Sequence, residues 1–310
     1  MIYITVAENI DEAIPEKYKE KSNFFKSVVY YFRNMFGIIL EKNIDNKKLY
    51  IIPNMNKKYI DKIKKIIKIR CVNTIILSER LKNDKEFVCS IKEENVKILD
   101  GSWIYKYIEE KIIDYIINLK NEKMYTQEVS IMINNFDEIN IENIKNIARK
   151  VKVLNIITTK ENMLKKIEKN IYEEDGIILN VNNNYKKSLI KSDIIINEDF
   201  EKEEFNNYDL PKKACIINIK KQINIYSKYF EGINVLAFDI SLPKRFIKKV
   251  SELKDFNSLI MYESFIYKRT SINNIKKEIE EDKIRILNVY GQNGVIRKTE
   301  FKGLNKSFKQ

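Results

Sequence analysis

The chain reads as α/β: two α/β domains joined by a long crossing helix, the C-terminal one built on a parallel sheet and followed by helices and a β-hairpin. Three observations predict this. Between Glu128 and Ser241, short apolar runs end in polar residues and alternate with helical patterns, and strand, helix, strand repeated in one direction closes right-handedly into a parallel sheet. From Ser102 to Lys120 an apolar face at Ile104, Tyr107, Ile108, Ile112, Tyr115, Ile116 and Leu119 recurs at helical spacing. Finally, 310 residues suffice for two cores.

In chain order, residues 1–6 form a first strand. A helix over Ser22–Phe36 places Phe24, Phe25, Val28, Val29, Phe32 and Phe36 on one face, and Gly37 closes it. Short strands at Ile38–Glu41 and Leu49–Ile52 precede Pro53. Lys57–Lys68 is amphipathic, with Ile60, Ile63, Ile66 and Ile67 inward and lysines outward. Val72–Leu77, Phe87–Ser90 and Val96–Leu99 follow as strands, and Ser102 is the N-cap of the long helix. The polar stretch Asn121–Gln127 ends an N-terminal domain at residues 1–122.

The second domain, 123–242, has strands at Val129–Ile133, Val153–Thr158, Ile177–Val181, Asp193–Asn197, Cys215–Ile219 and Val235–Phe238. Helices between them fall at Ile141–Lys150 with Asn140 as cap, Lys160–Tyr172 and Lys186–Lys191. Thr158 and Glu161 have the spacing of a capping box. Residues 243–310 continue with helices at Arg245–Leu253, Asn257–Tyr267 and Ile272–Glu281. A hairpin of Ile284–Tyr290 and Val295–Phe301 turns at Gly291-Gln292-Asn293-Gly294, and the tail from Lys302 is polar.

Composition excludes several chemistries. The chain has no histidine, which removes Ser-His-Asp and Cys-His systems, HExxH zinc sites and imidazole acid–base work. Cys71, Cys89 and Cys215 each sit in an apolar, strand-like run and read as buried small hydrophobes, with no disulfide framework and no metal site. No run approaches the roughly 18 apolar residues of a membrane span, and the first residues lack the pattern of a signal peptide. The expectation is a cytoplasmic protein with no membrane partner. The net charge of +13 is spread over helix faces as scattered lysines, so a solvated surface is favoured over a nucleic-acid footprint.

Four motifs, taken in order, carry a family resemblance. They are Ile98-Leu99-Asp100-Gly101 before the long helix, Ile157-Thr158-Thr159-Lys160, Ser192-Asp193-Ile194-Ile195-Ile196-Asn197, and Leu259-Ile260-Met261-Tyr262-Glu263. Together they resemble the shikimate-dehydrogenase-like and glutamyl-tRNA-reductase-like oxidoreductases, weakly, over about residues 96–270. The resemblance implies a substrate domain, a Rossmann domain and C-terminal helices that return to the first domain. It also implies that Asp100 acts on substrate, that Thr158 stands where the family's Asn-Arg-Thr has an Arg for NADP, and that Glu263 replaces a substrate-touching Gln.

The departures point away from that activity. After the first Rossmann strand the family has a Gly-rich turn, which lets backbone N–H groups approach the pyrophosphate. Here the same place reads Ile133-Asn134-Asn135-Phe136-Asp137-Glu138-Ile139. Even at an effective dielectric of about 20, like unit charges about 4 Å apart cost on the order of 4 kcal/mol each. The family's catalytic Lys also has no counterpart: Met55 falls in its place, with Lys57 and Lys58 merely near.

The candidate residues follow from these readings. Asn134, Thr158 and Asn197 would line a cofactor site. Asp100, Glu198, Asp199 and Glu263 would line a ligand cleft, because open α/β sheets bind ligands at the C-terminal ends of central strands. Asp100 also reads as a turn and capping residue, and Glu263 as a solvated helix residue. The function expected is a non-catalytic, Rossmann-like pseudoenzyme that binds or scaffolds a small molecule or protein, with no cofactor. One alternative is an NADP(H)-dependent reductase with an atypical site, using Asp100 and Lys57 as its acid–base pair. The other is nucleic-acid binding through the basic surface.

Overall fold

The computed structural model describes residues 1–44, 47–181, 183–219, 223–225, 229–244, 246, 253–267 and 272–304. The chain opens with β1 (Ile2–Val6), the short α1 (Ile10–Ala13), α2 (Asn23–Met35), β2 (Leu40–Ile44), β3 (Lys47–Ile52) and α3 (Lys57–Ile69). Next come β4 (Thr74–Leu77), α4 (Glu79–Asn83), α5 (Lys85–Lys92), β5 (Lys97–Leu99) and the long α6 (Ser102–Lys120). The repeating region holds β6 (Glu128–Met132), α7 (Glu138–Ala148), β7 (Val153–Ile157), α8 (Glu161–Asp175), β8 (Asn180–Val181), β9 (Ile194–Asn197), α9 (Lys202–Phe205), β10 (Cys215–Asn218) and β11 (Ile233–Val235). Last are β12 (Ala237–Ile240), α10 (Ser258–Ile266), α11 (Ile272–Glu281), β13 (Ile286–Gly291), β14 (Gly294–Val295) and α12 (Lys298–Lys302).

The chain forms two compact units, residues 1–103 with 242–268 and residues 104–241 with 269–310. The boundary thus falls at Trp103 rather than residue 122, and 269–310 joins the second unit. Contacts of α6 explain this. The Tyr105 ring lies 5.8 Å from Phe238, and the Lys106 carbonyl accepts a 2.7 Å hydrogen bond from Asn143.

In the first unit the sheet runs β2-β3-β1-β4-β5, parallel except for the antiparallel β2–β3 pair. Successive side chains of a strand point to opposite faces, and both faces are covered. Ile4 of β1 joins Ile63, Ile67 and Phe87 of α3 and α5 on one side. Tyr3 joins Ile76, Leu99, Phe256, Ile260 and Met261 on the other.

The second unit is a six-stranded, all-parallel sheet in the order β11-β10-β9-β6-β7-β8. Counted from β6 as the first strand, this is the 3-2-1-4-5-6 order of a Rossmann sheet. The order reverses between β6 and β9, and Val129, Ile131 and Ile194–Ile196 there are buried apolar residues, as a doubly covered parallel strand requires. A separate antiparallel sheet, β12-β13-β14, turns at Gln292-Asn293 between paired Gly291 and Gly294.

Several expectations are corrected. Phe87–Ser90 is helical: the Asp84 carboxylate accepts from Phe87 N–H at 2.9 Å and starts α5, which a four-residue apolar run could not reveal. Cys89 therefore lies exposed on a helix, and Cys71 is exposed in a turn at φ 47°, while Cys215 is buried in β10. Asp137, not Asn140, caps α7, and Lys160 stands at the N-cap of α8, so no Thr158–Glu161 box forms. Residues Lys186–Lys191 make turns instead of a helix. Val235–Phe238 spans the end of β11 and the start of β12, which belong to different sheets. The hairpin's second strand is only Gly294–Val295; Glu300 then accepts from Arg297 N–H at 2.7 Å and begins α12. Of the expected core face of α2, Phe24, Phe25, Phe32 and Phe36 are exposed and Val28 and Val29 half-buried, and the helix buries no residue fully. The helix at Arg245–Leu253 and the end of the tail fall largely outside the described residues. No helix among the described residues is long and apolar enough to cross a membrane.

Thiol labelling checks the cysteine assignments. Cys71 and Cys89 are expected to react with a thiol reagent in the native protein, and Cys215 only after denaturation. Peptide mapping of the labelled protein distinguishes the three.

Candidate functional site

The place where a sheet of this order binds ligands is the crevice beyond the C-terminal ends of β6 and β9. The loop after β6 is held there by its own side chains. Ile133 N–H donates to the Ile157 carbonyl at 2.9 Å, and Asn134 N–H to Asp199 Oδ1 at 2.7 Å. The Asn134 side-chain oxygen accepts from Thr158 Oγ1 at 3.0 Å, Thr159 N–H at 2.9 Å and Thr159 Oγ1 at 2.8 Å. One amide oxygen therefore ties the end of β6 to the end of β7.

The N-terminus of α7 is also filled. Asp137 is its N-cap: Oδ1 accepts from Asn140 N–H at 3.0 Å, Oδ2 accepts from Asn135 Nδ2 at 3.2 Å, and Lys106 of α6 forms an ion pair with the same carboxylate. Asn140 Nδ2 donates back to the Asn135 carbonyl at 2.6 Å. A helix N-terminus carries about half a positive charge and free N–H groups, the features a pyrophosphate uses. Here one of those N–H groups, that of Asn140, already serves the Asp137 carboxylate.

Beside this cap lie two buried acids. Glu109 of α6 is 2% exposed and Glu198, just past β9, is 5% exposed. Glu109 Oε2 accepts from Asn143 Nδ2 at 2.7 Å, and the two carboxyls are hydrogen-bonded neighbours. Neither Oε1 has an N–H or O–H donor when both acids are ionised. Burial raises both pKa values, and the Glu109 charge raises that of Glu198 further. Two carboxylates cannot stay ionised side by side in such a place, and one shared proton supplies the missing donor. Their cavity, walled by Ile131, Ile133 and Ile144, has no room for a water molecule. The pair can hold a proton but cannot meet a substrate.

Of the residues expected to bind a cofactor, Asn134 and Thr158 are hydrogen-bonded to each other. Asn197 is buried and turned onto its own loop, accepting from Phe200 N–H at 3.1 Å. Asp199 holds Asn134, and Glu198 joins Glu109.

Asp100 and Glu263 meet in the first unit. Glu263, 1% exposed on α10, accepts from Gly101 N–H at 2.6 Å. Its pKa is pushed up to about 8 by burial first and then by the Asp100 carboxylate. Exposed Asp100 accepts from Ser102 N–H at 3.0 Å and so caps α6. Gly101 adopts φ 89°, a left-handed conformation that favours glycine, and a Cβ there would lie 3.1 Å from Leu259. Lys57 opens α3, with no ion pair or hydrogen bond to Asp100.

Sequence reasoning missed Lys106 and Glu109. A signal for Glu109 existed: it sits among Tyr105, Ile108, Ile112 and Ile113, the buried side of α6. The described residues contain no cluster of three or more metal-ligating side chains.

No protein-family model matches the chain, and no curated protein matches it. Solved structures that it resembles include L-tryptophan dehydrogenase from Nostoc punctiforme, at 10% identity over 91% of this chain and 77% of that one, with a TM-score of 0.34. Shikimate 5-dehydrogenase from Listeria monocytogenes, solved with shikimate and NAD, is 10% identical, over 90% and 95%, with a TM-score of 0.26. Aspartate transcarbamoylase from Trypanosoma cruzi is 9% identical, over 71% of each chain, with a TM-score of 0.25. Likenesses this distant carry no argument about chemistry, and the Rossmann-like assignment rests on the strand order itself.

The buried acids make stability depend on pH in a defined direction. The Glu109–Glu198 pair holds one proton and Glu263 another in the folded state, and the unfolded chain releases them above its ordinary carboxyl pKa of 4.5. Stability therefore falls as pH rises from about 5 towards 8, by at most about 1.4 kcal/mol per pH unit for each proton. Denaturant unfolding at pH 5.5 and 8.5 should show Glu198→Gln and Glu263→Gln each losing less stability over this interval than the parent protein.

Proposed function

We propose that this protein is a Rossmann-like binding or scaffolding protein that does not use a dinucleotide. The observation that supports the reading is Asp137: it caps α7 at the position a pyrophosphate would need, and Lys106 neutralises it there. For a phosphate to enter, the Asp137 cap and its Lys106 pair would have to break, and a cap alone contributes about 1 kcal/mol. The sequence resemblance to shikimate-dehydrogenase-like oxidoreductases then describes the scaffold and not the activity.

A thermal-shift titration tests this. Neither NADPH nor NADH is expected to raise the melting temperature, whereas a ligand at a hundredfold excess over its Kd would add about 2.7 kcal/mol. Asp137→Ala should lower stability by about 1 kcal/mol through loss of the cap.

One observation favours the reductase reading. Glu263, with a pKa near 8 and Asp100 beside it, holds a proton near neutral pH, as a general acid must. On that reading, replacing Asp137 and Glu138 with glycine tightens NADPH binding, and NADPH-dependent turnover is lost in Glu263→Gln. Unchanged NADPH affinity in the glycine variant excludes it.

A further inference from the structure

Helix α2 turns an aromatic face outward, and the geometry points to a negatively charged lipid surface as what that face meets. Most of the residues turned towards the first unit are polar, with Val28 and Val29 half-buried among them. Lys26 pairs with Asp11 at 2.9 Å, and the Tyr30 hydroxyl donates to the Pro53 carbonyl at 3.4 Å. Asn34 Oδ1 accepts from Tyr59 Oη and Asn54 Nδ2, both at 3.0 Å, and Arg33 is partly buried beside Tyr59 and Tyr18. The outward face carries Phe24 (80% exposed), Phe25, Tyr31, Phe32, Met35 and Phe36. The Phe32 and Phe36 rings stack on each other at 6.5 Å with nothing apolar above them to leave either buried. A large contiguous apolar face on a folded domain marks an interaction surface.

Charge selects the partner. From Ser22 to Phe36 the helix carries Lys26 and Arg33 and no carboxylate. At its C-terminal end, Lys58 and Lys62 of α3 bind backbone carbonyls of Asn34, Phe36 and Gly37, and with Lys57 they have no carboxylate partner among the described residues. Near the other end Lys17 and Lys21 stand exposed, alternating with exposed Glu16 and Glu20. Two copies joined in parallel through α2 would bring the lysines at its C-terminal end together. A nucleic acid would use rings set in a groove for stacking, whereas these project from a convex helix together with Met35. Phe, Tyr and Met on one face with cations at the flanks is the pattern of a helix lying in an anionic bilayer interface. The absence of a spanning segment does not bear on this, because such a helix lies on the surface. The inference is independent of the crevice and goes beyond the function proposed above.

Vesicle co-sedimentation of the full chain tests it. The protein should pellet with phosphatidylcholine vesicles containing about 30 mol% phosphatidylserine, and not with phosphatidylcholine alone. Salt at about 0.5 M should weaken the binding. Phe24→Ser with Phe32→Ser should reduce it roughly tenfold or more at an unchanged melting temperature, and Lys57→Gln with Lys62→Gln should reduce its salt dependence. Failure to pellet with anionic vesicles, or pelleting unaffected by the double Phe variant, would overturn the proposal. So would a dimer seen by light scattering that the same Phe variant dissolves. A dinucleotide-binding result leaves this test unchanged.

Discussion

A helix N-terminus can satisfy one anion at a time, and in this chain α7 has given that position to Asp137. The rest of the crevice is arranged around that choice. Lys106 neutralises the carboxylate from α6, Asn135 and Asn140 complete its hydrogen bonds, and Asn134 locks the loop to β7 and Asp199. A glycine turn leaves backbone N–H groups facing a ligand. In this loop the N–H groups of Ile133, Asn134 and Asn140 bond internally instead.

The same packing brings Glu109 and Glu198 together. Two acids with little solvent exposure would destabilise the unit if both were charged. Sharing a proton and accepting from Asn143 makes the arrangement tolerable near neutral pH. In an open site, such a pair would suit acid–base chemistry. Packed against isoleucines with no room for water, the pair carries a cost that appears at alkaline pH. Glu263 repeats the theme in the first unit, where Gly101 N–H supports a carboxyl that burial keeps protonated.

Much of the fold was legible because parallel strands covered on both faces must be continuous apolar runs. Ile194–Asn197 and Cys215–Asn218 lie within a residue of where that rule put them. Short runs failed: Phe87–Ser90 is apolar enough for a strand, and only the Asp84 cap decides for helix. The α2 periodicity marks an apolar face, but a period does not say which side turns inward: Val28 and Val29 are half-buried while the phenylalanines are exposed. For the site, the missing glycines were visible in sequence. The capture of Asp137 by Lys106, 31 positions away, was not, because it depends on how α6 packs against the sheet.

The central claim is that the crevice between β6 and β9 is closed to phosphates by the chain's own carboxylate. A crystal structure grown with saturating NADPH tests this most directly. The account predicts Asp137 still bonded to Asn140 N–H and Lys106, with no dinucleotide against Asn134–Ile139. Density for a pyrophosphate on the first amides of α7, with Asp137 displaced, would contradict it.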